Sequence, residues 1–303
     1  MPARPHSPPS SMTLPATPDL PSRLTTLDAP DGARIAVSLH GGHLCAWRSA
    51  DGIERLFLSE RTRWDEVSAG IASIRGGIPV VFPQFSGMGA LPKHGVVRTV
   101  PWTLLEASPE AGLMRLGVTD SAATAQFDGR FALELQLRFS GLQLSVELII
   151  TNTGERPFDF TAALHTYLRT PVDAARITGL HGRPYLDCTV EPRTMVVDDD
   201  TVLTITQEVD RIYAALATPV TLTGPDSALA ISQNGFEDVV VWNPWAGKAA
   251  ALPDLMPHDE RHFLCIEAAL IDHPHTLHPG QSWQGRQQLC ATPLSATTQG
   301  APA

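Results

Sequence analysis

The stretch FALELQLRFSGLQLSVELII, residues 131–150, alternates apolar and polar side chains on either side of one Ser-Gly step. Phe131, Leu133, Leu135, Leu137 and Phe139 fall on one face, with Ala132, Glu134, Gln136 and Arg138 on the other. After Ser140-Gly141 the same period resumes with Leu142, Leu144, Val146 and Leu148. Two period-two runs joined by a short glycine turn predict an antiparallel hairpin. Asp31-Gly32 and Asp51-Gly52 are turn signals of the same kind. Helical periodicity is scarce, and RTRWDEVSAG (61–70) predicts at most a short helix. No internal repeat is visible. The pattern predicts an all-β fold, a large antiparallel β-sandwich.

A chain of 303 residues can bury roughly three quarters of its unfolded surface in one core. The folded domain is expected over residues 22–293. A leader, residues 1–21, is rich in proline and small polar residues and reads as disordered; residues 294–303 read as a flexible tail. The formal net charge of -10 repels phosphate backbones and argues against nucleic-acid binding. No apolar run approaches the roughly 18 residues of a membrane span, and the N-terminus lacks the apolar middle of a secretory signal. Cys45, Cys188, Cys265 and Cys290 are far apart and share no CxxC spacing, so zinc and redox motifs are unsupported. A reduced, cytoplasmic setting follows. Cys265, in FLCIEAAL, reads as a small core residue. The sequence leaves the oligomeric state open.

Against this acidic background the segment SIRGGIPVVFPQFSGMGALPKHGVVR (73–98) gathers Arg75, Lys93, His94 and Arg98 around a Gly- and Pro-rich loop. An anionic ligand needs such a local cationic pocket, because the rest of the chain repels it. In FDFTAALHTYLR (158–169), Asp159, Thr161, His165, Tyr167 and Arg169 share one strand face. That face suits the floor of a sugar pocket, and it suits an ordinary solvated sheet face as well. In HFLCIEAALI (262–271), Glu267 is the single acid of an apolar strand. Burial raises the pKa of such a carboxyl, which suits a general base; a structural ion pair with an arginine is the alternative.

Other features carry less. HDERH (258–262) spaces two histidines as zinc motifs do, but its acid is one position late and it runs straight into a strand. His273, His275 and His278 in DHPHTLHPG are expected on a surface turn. The DDD at 198–200 is expected to be a solvated loop.

Taken together, IRGGIPVVFPQF, LPKHGVVR, ALHTYLR and the CIEAA strand resemble the aldose 1-epimerase superfamily, and specifically its hexose-6-phosphate mutarotase (glucose-6-phosphate 1-epimerase) branch. VDRIY near 210 and VVVWNPW near 240 add to the resemblance, which spans about residues 25–290. It implies a galactose mutarotase-like β-sandwich enzyme that interconverts the α and β anomers of a hexose 6-phosphate, glucose 6-phosphate first among them. On this resemblance His165 would be the acid that protonates the ring oxygen, and Glu267 the base at the anomeric hydroxyl, on opposite sides of the ring. Arg75 and Arg98 would hold the 6-phosphate, and His94 and Asp210 would line the sugar site. Relatives commonly carry Gln where this chain has Lys93, so Lys93 contacts either sugar or phosphate. No metal or redox cofactor is implied, and the only partner implied is the small-molecule hexose phosphate. Two rival readings stay open on the sequence: a mutarotase of unphosphorylated aldoses, and a non-catalytic carbohydrate-binding β-sandwich.

Overall fold

The period-two segment at 131–150 forms the hairpin it encodes. In the computed structural model, which describes Leu14, residues 20–216 and residues 218–294, Phe131–Ser140 pairs antiparallel with Gln143–Asn152. The alternating leucines and valines are buried and the polar residues between them are not. The turn lies one residue later than expected: Ser140 pairs with Gln143, and Gly141, at a φ of 55°, and Leu142 make the reversal.

This hairpin is the middle of an eight-stranded sheet. Its strands run in the order Arg176–Thr178, Val220–Thr223, Ser227–Asn234, Ser282–Pro293, Gln143–Asn152, Phe131–Ser140, Leu113–Thr119 and Thr103–Ser108. A second sheet, the site sheet, has the order Thr194–Val197, Pro184–Asp187, Val209–Tyr213, Asp238–Asn243, Phe263–Leu277, Phe158–Leu164 and Val80–Val81. Tyr167–Arg169 also pairs with its long strand. A three-stranded sheet of Thr25–Asp28, Arg34–Ser38 and His43–Arg48 completes the fold. Among the described residues the α-helices are two five-residue pieces, Trp64–Ser68 and Trp245–Ala249. The expected all-β antiparallel sandwich is thus the observed one.

Alternation along the Phe263–Leu277 strand divides the molecule. Leu264, Ile266, Ala268 and Leu270 enter the main core between the sheets. Cys265 and Ala269 face the other way, into two smaller apolar clusters on the outer face of the site sheet. Glu267 shares their alternation, between the two clusters. A bulge between Leu270 and His275 is held by the buried Asp238 carboxylate. It accepts the N–H groups of Ile271 at 2.6 Å and Asp272 at 2.9 Å.

Two expectations change here. Residues 272–277 are not a turn: the strand continues through His273 and His275 to Leu277, although both histidines are exposed as expected. Nor is all of DDD solvated. Asp198 is buried, and it accepts hydrogen bonds from Arg211 at 3.0 Å and from the Tyr213 hydroxyl at 2.7 Å. The leader falls largely outside the described residues, as does the tail beyond Leu294. Of the leader, Leu20 packs against the cluster of Leu24, Ala36 and Val67.

Candidate active site

The strand register lays out the site floor. Asp210 pairs with Trp242, Trp242 with Cys265, and Cys265 with Tyr167, so these four form one row on the outer face of the site sheet. In the next row Ile212 pairs with Val240 and Val240 with Glu267. Between Leu164 and Tyr167 the chain leaves the strand, and His165 lies at that break, its N–H bonded to the Pro79 carbonyl at 3.1 Å. The sheet therefore brings His165 beside Glu267, with Nδ1 3.2 Å from Oε1. The angles at that approach are not those of a hydrogen bond, so His165 Nδ1 is left without a hydrogen-bond partner, as is Glu267 Oε2.

All seven residues singled out from the sequence line one cavity of about 260 Å³: Arg75, Lys93, His94, Arg98, His165, Asp210 and Glu267. His165 is stacked on the Tyr167 ring, with centroids 4.8 Å apart and planes 8° apart, and Trp242 meets it edge-on at 5.8 Å. The rings fix the imidazole plane. His94 is held at a φ of 67° and its Nδ1 accepts the Ser86 N–H at 3.3 Å. That leaves Nε2 as the N–H tautomer.

The cations reach the cavity from three segments. Arg75 donates from Nε to Asp254 at 3.1 Å and from Nη1 to the Tyr167 hydroxyl at 2.8 Å. Burial works against its charge, but Tyr167 and Asp254 more than offset it and raise its pKa. Arg98 has a buried Nε with no hydrogen-bond partner. Lys93 is exposed at the rim, and Lys248 sits 2.8 Å from Glu208 and 3.9 Å from Asp210.

At Gly76 and Gly77 the missing side chain serves backbone packing. A Cβ on Gly76 would stand 2.3 Å from the Phe57 carbonyl oxygen, and one on Gly77 2.2 Å from that of Leu44. Both have positive φ. The glycines let neighbouring backbone pack tightly, and that packing aims Arg75 into the cavity.

The two key groups are shifted in opposite directions. Burial, then the Asp210 charge, push the Glu267 carboxyl well above its usual range, against the pull of Arg98. Burial, then His94, Arg98 and Arg75, hold His165 well below the usual imidazole value. His94 is pushed down to about 2 by burial and by Arg98, Lys93 and Arg75. Both shifts favour the neutral forms, a carboxylic acid beside an unprotonated imidazole. A proton passed from the carboxyl to the imidazole across the 3.2 Å approach would give a carboxylate and an imidazolium side by side.

Several contributors were not singled out from the sequence. Tyr167 was placed on the polar face and Trp242 lay in VVVWNPW, but neither had a stated role. Lys248 and Asp254 carry no local signal. Beneath the floor, Gln287 on the opposite sheet reaches through the core. Its carbonyl accepts the Thr166 hydroxyl at 2.5 Å and its amide donates to the Ile266 carbonyl at 3.0 Å. Thr166 follows His165 and Ile266 precedes Glu267, so one buried amide ties both segments together. Gln287→Leu removes both bonds from a buried layer and leaves the Thr166 hydroxyl only the Leu164 carbonyl at 3.3 Å. It is expected to destabilise the fold by about 1–3 kcal/mol, read by urea denaturation, and an unchanged midpoint would show the bridge to be dispensable.

HDERH does not gather ligands. His258 is exposed, while His262 lies at the end of the 3-10 turn Asp259–Arg261.

Comparison with known proteins agrees with this architecture. A "Putative glucose-6-phosphate 1-epimerase" from Cenchrus ciliaris is 32% identical over 273 residues, covering 86% of this chain and 82% of that protein. A protein of the same name from Escherichia coli K12 is 29% identical over 254 residues, covering 81% and 82%. The crystal structure titled as a "putative mutarotase" from Salmonella typhimurium superposes with a TM-score of 0.80 at 22% identity, covering 93% of this chain and 97% of that one. Residues 23–290 match the family described as aldose 1-epimerase. With that match spanning both sheets and every residue of the cavity, the chain belongs to the aldose 1-epimerase family.

Proposed function

We propose that this protein interconverts the α and β anomers of a hexose 6-phosphate, glucose 6-phosphate foremost, by acid/base opening and closure of the sugar ring. The observation that carries this reading is the His165–Glu267 contact at the floor of a cavity with four cationic side chains. The names of the relatives from Cenchrus ciliaris and Escherichia coli support the same substrate.

The steps need only this chain's groups. Glu267, as carboxylate, takes the proton of the anomeric hydroxyl while His165, as imidazolium, gives one to the ring oxygen. The C1–O5 bond breaks and C1 becomes a carbonyl. Rotation about C1–C2 presents its other face, and the ring recloses with the roles reversed. The two side chains lie on neighbouring segments and not on opposite sides of a ring. That suits the chemistry, since the two oxygens they serve are both bonded to C1. His94, through its Nε2–H, and Asp210 hold sugar hydroxyls. Arg75 and Arg98 take the phosphate, and arginine forks match phosphate oxygens in pairs. Lys93 and Lys248 add charge at the rim. Four free cysteines suit a reducing, cytoplasmic setting. Among the described residues no helix is long and apolar enough to cross a membrane.

Two measurements check this. 1,5-Anhydroglucitol 6-phosphate has no anomeric hydroxyl and cannot open. Calorimetry is expected to show it binding far more tightly than 1,5-anhydroglucitol, and equal affinities would remove the phosphate from the reading. In the protein measured without sugar the His165 ring is expected to remain neutral, its NMR shift level as the pH falls from neutrality through the ordinary imidazole value of 6.5. A midpoint at that value would contradict the burial that holds the His165 pKa down.

A further inference from the structure

Cys265 shares a strand-register row with Tyr167 and Trp242 but does not open onto the cavity, being packed among Phe57, Tyr167 and Phe263. Its Sγ, a ring nitrogen of His165 and a carboxylate oxygen of Glu267 all lie within 4.8 Å of one another. All three residues are buried, and two of the polar atoms there, His165 Nδ1 and Glu267 Oε2, have no hydrogen-bond partner. We propose that His165, Cys265 and Glu267 form a binding site for a thiophilic divalent cation, zinc above all, whose occupancy switches the enzyme off.

The donor set decides the class of ion. One imidazole nitrogen, one thiolate and one carboxylate suit zinc, whereas magnesium and calcium prefer oxygen donors alone. Three protein ligands leave a fourth tetrahedral position, which here opens toward the cavity. Zinc–ligand distances of about 2.0–2.3 Å place neighbouring donors roughly 3.3–3.6 Å apart. The trio must therefore close by roughly 1 Å at its widest, within reach of small side-chain rotations. Binding takes the thiolate, carboxylate and neutral imidazole forms, so the Cys265 thiol proton and any carboxyl proton on Glu267 leave to solvent. No bond of the sugar is involved.

The effect on turnover rests on the reading of His165 and Glu267 as acid and base: zinc would occupy both proton carriers at once. Cation binding itself stands on the geometry alone. Cys265 does not line the cavity and has no part in the proton path, so Cys265→Ala is expected to keep its basal exchange rate.

The test uses the whole chain with Co²⁺ as spectroscopic probe and Zn²⁺ as inhibitor. Cobalt is expected to give tetrahedral d–d bands and a thiolate-to-cobalt charge-transfer band, the latter absent in Cys265→Ser. Zinc is expected to inhibit anomer exchange and magnesium is not. Loss of an outer-sphere partner alone weakens metal sites 10–100-fold, so Cys265→Ala should raise the zinc concentration for half-inhibition at least roughly tenfold. A wild-type protein without the charge-transfer band overturns the site, whatever its activity. So does zinc inhibition of equal strength in Cys265→Ala. Inhibition that vanishes in a His273→Ala/His275→Ala variant also overturns it, placing the ion on the exposed strand.

Discussion

Glu267→Gln is expected to slow anomer exchange by roughly 10²–10⁴-fold, the usual contribution of a positioned proton acceptor. The amide keeps the shape of the protonated carboxyl but cannot take a proton from the anomeric hydroxyl. His165→Ala removes the opposite member of the pair and is expected to fall within the same range. The two variants should differ in stability. Glu267 is buried beside Asp210 with its carboxyl pushed up, so the neutral amide removes a potential buried charge and should fold at least as well as the wild type. His165→Ala loses an imidazole stacked on Tyr167 at 4.8 Å and should melt lower. Exchange spectroscopy beside thermal melts separates the effects. Near-normal exchange in either well-folded variant would take that residue out of the proton path.

Arg98→Ala and Arg75→Ala are expected to change specificity more than chemistry. A charge-assisted contact contributes about 1.5–3 kcal/mol. At 1.36 kcal/mol per decade this predicts roughly a 10- to 150-fold fall in kcat/KM for glucose 6-phosphate. Free glucose has no phosphate to lose, and its exchange should barely change. The ratio matters most for Arg75. Its loss also strands Asp254, whose Oδ1 is already unpartnered, and the Tyr167 hydroxyl. Equal slowing of both sugars would make the arginines structural and move the activity toward unphosphorylated aldoses.

What the sequence disclosed follows from how locally each feature is encoded. The hairpin at 131–150 is legible because each residue declares its face by its neighbours two positions away. Glu267 is legible because an acid in a strand apolar on both faces has nowhere to go but inside. Arg75, His94, Arg98 and His165 are legible through motifs of a few consecutive residues. Gln287 is not: in SWQGRQQLCATP it looks like one of three polar glutamines, and only the opposing sheet reveals that it reaches Thr166 and Ile266. Lys248 reaches the cavity, and Asp254 reaches Arg75, from the segment after the Asp238–Asn243 strand, where no periodicity marks them. Asp198 was misread because a run of three acids looks solvated, and its partners Arg211 and Tyr213 lie more than ten residues away. The HPH segment was misread because its proline suggests a turn. The bulge lets the strand pass through it instead.

The central claim is that the buried pair serves a sugar whose phosphate is held by the cations above it. Two-dimensional exchange NMR on the wild-type protein tests it most directly, with glucose 6-phosphate and glucose measured side by side against buffer. The expected result is α–β exchange of glucose 6-phosphate accelerated well beyond the uncatalysed rate, with glucose accelerated far less. Equal acceleration of both sugars, or none of glucose 6-phosphate, would contradict it.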